Sequence, residues 1–418
     1  MCLFKFAKTM HSWMNSQTSL KIYIALPVMA EYEYLPAVLE CLEKQSFRNF
    51  ELVVCVNQPE EYSTIPDKIH IYKDNQRCLN LLNSSSLSFD IEIIDKSSLG
   101  MGWKGKQQGV GFARKTAMDF IAQKAKNDDI ILSLDADTIF GRDYLEVIAQ
   151  TFYDYPFISA LSIPYYHPLT QNEITNRCIL RYEIYMRVYA LNMLFIHNPY
   201  AFTAMGSSMA LKTGTYRKIG GITPHQAGED FYFLQKLRKH GSVLTWCPTI
   251  VFPASRFSDR VIFGTGPAMI RGKEGHWEAY PIFYYSLFDR VRITFEAFPK
   301  LYFENIVTPM DPFLKDIFRT SDIWGPLRKN SRNEKSFVKA CMQKIDALRI
   351  FQFLKRYQPD VKKSDEICLK EFLMHYFPDN HPPINENFDT CDINALQKIR
   401  NFLAMKEYSY RQHYPLLQ

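Results

Sequence analysis

Hydrophobic positions in the first third of the chain follow two alternating rhythms. Residues 21–26, 50–56, 89–94 and 130–134 are short apolar runs, long enough for a buried strand and too short for an independent helix. Between them, Leu35, Val38, Leu39 and Leu42 recur at helical spacing, and 107–126 reads as a further helix. Strands alternating with helices of about 10–20 residues predict βαβ units and a largely parallel sheet. Residues 58–88 are polar, rich in Ser and Asn, and read as an insertion or lid-like connection. Beyond about 290 the strand-like runs fade, and helical patterns such as 337–353 and 393–405 dominate. The expected organisation is an N-terminal segment 1–19, an α/β unit over 20–290 and a helical unit over 291–418.

Composition narrows this picture. The chain has 418 residues, 47% of them hydrophobic and 22% charged, which is normal for a folded protein and excludes a mainly disordered or fibrous one. Its 50 Lys and Arg against 44 Asp and Glu leave only +6, so no nucleic-acid partner is expected. Nine scattered cysteines without CxxC spacing suggest neither a zinc site nor a disulfide scaffold, and reduced thiols in a cytoplasmic chain are the simplest account. The longest charge-free window, 188–211, holds too many polar residues for a membrane span. Residues 321–363 carry an excess of seven basic over acidic residues. A solvated face explains that segment, and peripheral contact at the inner face of the plasma membrane is its second reading.

Four short motifs bear on chemistry. Asp135 and Asp137 flank Ala136 directly after the apolar run 130–134, so two carboxylates point the same way at the end of a buried strand. Such an oxygen-only pair suits Mn²⁺ or Mg²⁺, with phosphate oxygens completing the shell. Glu229 and Asp230 open an amphipathic helical pattern, which fits helix-dipole compensation as well as a general base. Gly100, Gly102, Gly105 and Lys106 match both a dinucleotide-binding and a P-loop expression, but Gln107 stands where a P-loop needs a hydroxyl. The loop also follows the third strand, not the first. Finally, Ser255, Arg256, Arg260, Gly264 and Gly266 form a loop whose arginines would clamp a diphosphate, or simply face solvent.

Taken in order, these pieces resemble the family-2 glycosyltransferases with the GT-A fold. The likeness runs over about residues 20–270. It rests on the opening run ending at Pro27, the acidic Glu31, the second run ending at Asn57 and the segment 109–115 with Arg114. Asp135-Ala136-Asp137, Gly206-Ser207, Gly220-Gly221 and Glu229-Asp230 follow. Two positions depart from the family pattern: Asn57-Gln58 stands where Asp-Asp is frequent, and Lys115 replaces an Asn, which bears on nucleotide identity.

The resemblance implies a Rossmann-like mixed α/β sheet followed by a helical C-terminal domain. It implies transfer of a sugar from a UDP- or GDP-sugar to a hydroxyl of a glycan or lipid-linked acceptor, with inversion as the first reading. A retaining transferase on the same fold, whose acids only position the acceptor, and a sugar-nucleotide-binding scaffold without transfer are the alternatives. Pro27, Glu31, Asn57, Lys106, Arg114, Asp135, Ala136, Arg256 and Arg260 would line the nucleotide-sugar site. Asp135 and Asp137 would hold the metal, with His276 the candidate third ligand, and Asp230 or Glu229 would be the base. The Tyr-studded stretch around Arg181, Tyr182, Tyr185, Arg187 and Tyr189 reads as core packing or as an acceptor surface. His225, just before the acidic pair, is a further acceptor-side candidate.

Overall fold

A computed structural model describes residues 20–225, 228–260, 264–384 and 387–417; the segment 1–19 lies outside them. Its strands are β1 (Ile22–Val28), β2 (Phe50–Asn57), β3 (Asp90–Lys96), β4 (Ile130–Ser133), β5 (Thr138–Phe140), β6 (Ala160–Ser162), β7 (Met209–Lys212), β8 (Val243–Leu244), β9 (Val251–Pro253) and β10 (Leu416–Leu417). Eight of them form one sheet in the order β10-β8-β6-β7-β4-β1-β2-β3, while β5 and β9 pair separately. β4, β1, β2 and β3 run parallel, and β7 is antiparallel to both β4 and β6. The four parallel strands are the ones expected from the apolar runs, and the antiparallel β7 makes the sheet mixed, as the resemblance implied.

Helices cover both faces, which explains why β1, β2 and β4 are mostly apolar and buried at every position. The first helices are α1 (Leu35–Glu43), α2 (Ile69–Ser84), α3 (Val110–Lys124) and α4 (Tyr144–Asp154). Ile22, Ile24, Leu26 and Val28 point to one face, against α1, α2 and α4, while Tyr23 and Ala25 point to the other, against α3. α2 corrects the reading of 58–88 as a lid-like connection. Ile71, Cys78, Leu79 and Leu82 are spaced to bury one stripe of a helix on the sheet, although Asn and Ser dominate the composition around them. Cys55, Cys78 and Cys247 are buried free thiols, and burial pushes the Cys55 thiol up to about 12.

The chain continues with α5 (Glu173–Phe195), α6 (Thr213–Lys218), α7 (Glu229–His240) and α8 (Thr265–Lys273). After these come α9 (Tyr285–Glu296), α10 (Phe298–Phe303), α11 (Asp311–Phe318), α12 (Gly325–Lys329), α13 (Glu334–Lys344), α14 (Ala347–Val361), α15 (Asp365–Tyr376) and α16 (Ile393–His413). The pattern over 337–353 is two helices, not one, because the Asp346 side chain accepts the Arg349 amide and starts α14 afresh. Phe288, Phe313, Phe337, Ile350 and Phe353 of these helices share one hydrophobic cluster with α3 and α7. Helical character does not persist to the end: β10 returns to the sheet edge beside β8. No described helix is long and apolar enough to cross a membrane.

α16 is fastened to α5 by a buried ionic network. Glu183 accepts from Arg187 at 2.6 Å and from Arg400 at 2.9 Å, and His167 Nδ1 lies 3.0 Å away. Glu407 accepts from Arg187 at 2.8 Å and from Arg411 at 2.8 Å. Burial opposes the charge on Glu183, but Arg187, His167 and Arg400 outweigh it and hold its pKa well below the carboxylate range. Arg187 is therefore committed to structure and is not an acceptor-binding cation. Arg181 is likewise tied down, to Asp365 at 3.1 Å and Asp389 at 3.2 Å. Glu183→Ala would strand two buried guanidinium groups. We expect it to destabilise the fold by about 3 kcal/mol or more in urea denaturation, whereas loss of the exposed Lys44–Glu40 pair should leave the midpoint nearly unchanged.

Candidate functional site

The C-terminal ends of β1, β2 and β4 open onto a cleft of about 300 Å³, on the edge where open α/β sheets hold ligands. The topology brings together most of the residues singled out in the sequence. Pro27 and Glu31 follow β1, Asn57 ends β2, and Asp135, Ala136 and Asp137 follow β4. Arg114 comes from the first turns of α3, Glu229 and Asp230 from the start of α7, and Arg256 and Arg260 from the loop after β9. All eleven line the cleft. Residues 261–263 of that loop lie outside the described ones.

Arg114 organises the inner wall. Its guanidinium is buried and donates to Asp135 Oδ1 at 2.7 Å, Glu229 Oε1 at 3.1 Å, Ser133 Oγ at 2.5 Å and the Gly206 carbonyl at 3.1 Å. Burial alone would lower its pKa, but Asp135 and Glu229 outweigh that and hold it above the usual arginine value. Gly206 has no side chain because there is no space for one: a Cβ would lie 3.0 Å from Asp135 Oδ2 and 3.1 Å from the Arg114 guanidinium carbon. Ser133 was not foreseen. A lone hydroxyl in an otherwise apolar buried strand was its signal, and it donates onward to the Gly206 carbonyl at 2.6 Å.

A second cluster forms the outer wall. Arg256 Nη2 donates to Asp137 Oδ2 at 2.5 Å and to Glu31 Oε1 at 2.7 Å, and its guanidinium lies 4.2 Å from the Tyr34 ring centroid. Arg260 pairs with the same Glu31 oxygen and donates to the Met29 carbonyl at 2.7 Å. Glu31 is only 7% exposed, and its Oε2 has no hydrogen-bond partner among the described residues. Burial raises its pKa, against the pull of Arg260.

Asp230 differs from the other cleft carboxylates. Glu31, Asp135, Asp137 and Glu229 each contact an arginine, whereas Asp230 has no such partner among the described residues and accepts only the Phe231 amide, at 2.7 Å. Burial and the neighbouring Glu229 carboxylate raise its pKa to about 7. The left-handed Gly228, φ 73°, turns the chain into α7 just ahead of the pair.

Other expectations did not converge on the cleft. His276 is 63% exposed, 3.5 Å from Glu278, because Trp277 is the residue of that polar turn that packs inward, against Gly272 of α8. Lys106 is exposed and outside the cleft lining. The amides of Gly100 and Gly102, which a phosphate-binding loop would need free, donate to Glu60 at 2.7 Å each. Asn57 lines the cleft with its amide already used: Nδ2 donates to the Val28 carbonyl at 2.9 Å and Oδ1 accepts from Trp103 at 3.2 Å. His225 packs against Tyr232 with the rings tilted, 4.5 Å between centroids, outside the cleft lining. Of the Tyr-studded helix α5, Tyr182 and Met186 reach the cleft, while Tyr185 and Tyr189 pack with Phe283.

Five cleft carboxylates face three guanidinium groups, so the ionised cleft is acidic. Among the described residues no three His, Cys, Asp or Glu side chains converge closely enough to hold a metal by themselves. The donors that are present, all oxygens and one of them an unpartnered buried carboxylate oxygen, fit Mn²⁺ or Mg²⁺ bound through one or two side chains with phosphate and water completing the shell.

Residues 130–272 match the family model described as glycosyl transferase family group 2. That stretch runs from β4 to α8 and carries Asp135, Asp137, Glu229, Asp230, Arg256 and Arg260. No curated protein matches the chain. Among solved structures, residues 1–349 of S. aureus TarS in complex with UDP-GlcNAc are 14% identical, with 94% of this chain and 92% of that chain covered and a TM-score of 0.39. A mannosyltransferase from Pyrobaculum calidifontis in complex with GDP-Man and Mn²⁺ is 13% identical, with 94% and 87% covered and a TM-score of 0.36.

Gly206→Ala tests whether the inner wall is as tightly built as these distances indicate. The added methyl must push aside Asp135 or the buried Arg114, and we expect a loss of about 1–3 kcal/mol in urea denaturation. Wild-type stability in this variant would show that the wall has room to relax.

Proposed function

We propose that this chain, a glycosyltransferase of family group 2 across residues 130–272, transfers a sugar from a nucleoside-diphosphate donor to a hydroxyl of a glycan or lipid-linked acceptor, with inversion and with Asp230 as base. The observation that carries the reading is the contrast among the cleft acids: Asp230 alone lacks an arginine partner, and its pKa is raised to about 7. A carboxylate so tuned exchanges a proton near neutral pH, as a general base requires.

In the proposed reaction the acceptor oxygen attacks the anomeric carbon and the bond from that carbon to the diphosphate breaks. The acceptor proton passes to an Asp230 oxygen, and the nucleoside diphosphate departs with the bonding electrons. Arg256 and Arg260, partly exposed on the outer wall, would meet the charge growing on the diphosphate. Arg114 makes four hydrogen bonds on the inner wall and acts as a positioning residue. Glu229, held by Arg114, orients rather than exchanges a proton. Tyr182 offers an aromatic face beside Asp230 on the acceptor side.

A bound Mn²⁺ or Mg²⁺ at Asp135 and Asp137 would neutralise the diphosphate and supply Lewis acidity to the leaving group. The surplus of carboxylates supports this, since a diphosphate entering an acidic cleft needs a compensating cation.

Release of nucleoside diphosphate from a panel of UDP- and GDP-sugars tests the reading. Asp230→Asn should keep donor binding and lose about 10²–10⁴-fold in kcat. In the wild type kcat/KM should rise with pH through about 7, because the base works only once deprotonated, and that limb should vanish in the variant. Undiminished turnover by Asp230→Asn would sink the assignment. Chelation with EDTA should abolish turnover and added Mn²⁺ should restore it, but not in an Asp135→Asn/Asp137→Asn double variant. Full activity in EDTA would remove the metal from the scheme.

A further inference from the structure

Resting on the transferase reading above, we infer that Asn75, which lies outside the cleft lining, is a positioning residue for the nucleotide donor. It is the polar member of the buried stripe of α2, between Ile71 and Cys78, and is itself fully buried. A polar group there weakens the packing of the helix on the sheet unless its hydrogen bonds are made. Those bonds run to two strand ends at the cleft. Oδ1 accepts the Ala30 amide at 2.8 Å, and Nδ2 donates to the Asn57 carbonyl at 3.1 Å and to Gln58 Oε1 at 2.9 Å. One side chain thus joins the turn after β1 to the end of β2. Asp74, its neighbour in sequence, accepts the Tyr32 amide of the same turn at 3.0 Å.

The backbone resists the turn that Asn75 holds. Ala30 has φ 53°, in the left-handed region that alanine rarely adopts. Met29 and Glu31, on either side of it, both line the cleft. The carbonyls of Met29 and Ala30 are directed at Arg260, which donates to them at 2.7 Å and 3.3 Å. In the proposed reaction Asp230 meets the acceptor, and Arg256 and Arg260 meet the diphosphate. Arg260 is bonded to the turn after β1. The nucleoside, attached to the diphosphate on the side away from the sugar, therefore falls against Pro27, Met29 and Asn57 at the ends of β1 and β2. Asn75 acts on the donor through that wall and through the aim of Arg260, without touching either the reacting atoms or the base.

The test measures binding of UDP and of GDP to the full chain by calorimetry, and kcat and donor KM for release of nucleoside diphosphate. In Asn75→Ala the dissociation constant and the donor KM should rise about 10–100-fold with kcat nearly unchanged, because the loss falls on binding of the donor and not on the chemical step. Ala30→Val leaves α2 intact but puts a β-branched residue at a positive φ, and should reproduce the effect. Ala30→Gly in the Asn75→Ala background should recover much of the lost affinity, since glycine adopts the turn without help. Leu82→Ala, on the same buried stripe, should lower Tm and leave donor binding as in the wild type. If Asn75→Ala does not fold, Ala30→Val decides alone. Wild-type donor binding in these two variants would overturn the inference and leave the transferase reading standing. An equal loss of donor binding in Leu82→Ala would also overturn it, because the helix as a whole and not this side chain would then be responsible. A wild type that binds neither nucleotide and releases none from any donor would overturn this inference together with the transferase reading.

Discussion

A single buried guanidinium, that of Arg114, ties together the pieces on which any chemistry in the cleft depends. It holds the residues after β4 through Asp135, the strand itself through Ser133, the loop before β7 through the Gly206 carbonyl and the start of α7 through Glu229. A charge removed from water costs several kcal/mol unless its partners surround it, so losing any one contact undermines the rest. Lysine has no planar fork to serve four acceptors from one position, which is why an arginine stands here. The two acidic motifs, 93 positions apart, are for this reason parts of one rigid assembly.

That assembly sorts chemically identical carboxylates into different roles. Asp135 and Glu229 share Arg114, while Asp137 and Glu31 share Arg256, and each is held as an oriented acceptor. Asp230 sits next in sequence to Glu229 but turns away from the guanidinium. It feels burial and its neighbour's negative charge without a direct arginine contact, so its proton affinity rises. Environment, not residue type, separates a proton acceptor from a cation ligand.

Much of this was legible in the sequence, for identifiable physical reasons. Strands buried on both faces are continuous apolar runs, so β1, β2, β4 and the motifs at their ends could be placed directly. Helix α2 was missed because only one stripe of a surface helix must be apolar, and its Asn and Ser residues masked the spacing of Ile71, Cys78, Leu79 and Leu82. Lys106 and His276 have the right chemistry in polar loops, but nothing local says which side chain of a loop turns inward. Glu60, from a distant segment, holds the glycine loop, and Gly272 of α8 receives Trp277 in place of its neighbour His276. Asn57 lines the cleft, yet its amide partners Val28 and Trp103 come from separate segments that no spacing rule connects.

The C-terminal helices bear on the cleft through the register of one helix. On α5, Tyr182 and Met186 are four residues apart and face the cleft, while Glu183 and Arg187, each one position further, face α16. Apolar contacts alone would allow a helix to roll, because hydrophobic attraction has little directional preference. Glu183 and Arg187 meet Arg400, Glu407 and the backbone of Tyr165 from one angle only. A roll of about 100°, the angle between successive residues, would strand these charges and carry Tyr182 out of the cleft at the same time. The ionic network under α16 therefore sets the wall on which an acceptor would rest, and the helical region belongs to the same physical device as the acids at the ends of β4 and the start of α7.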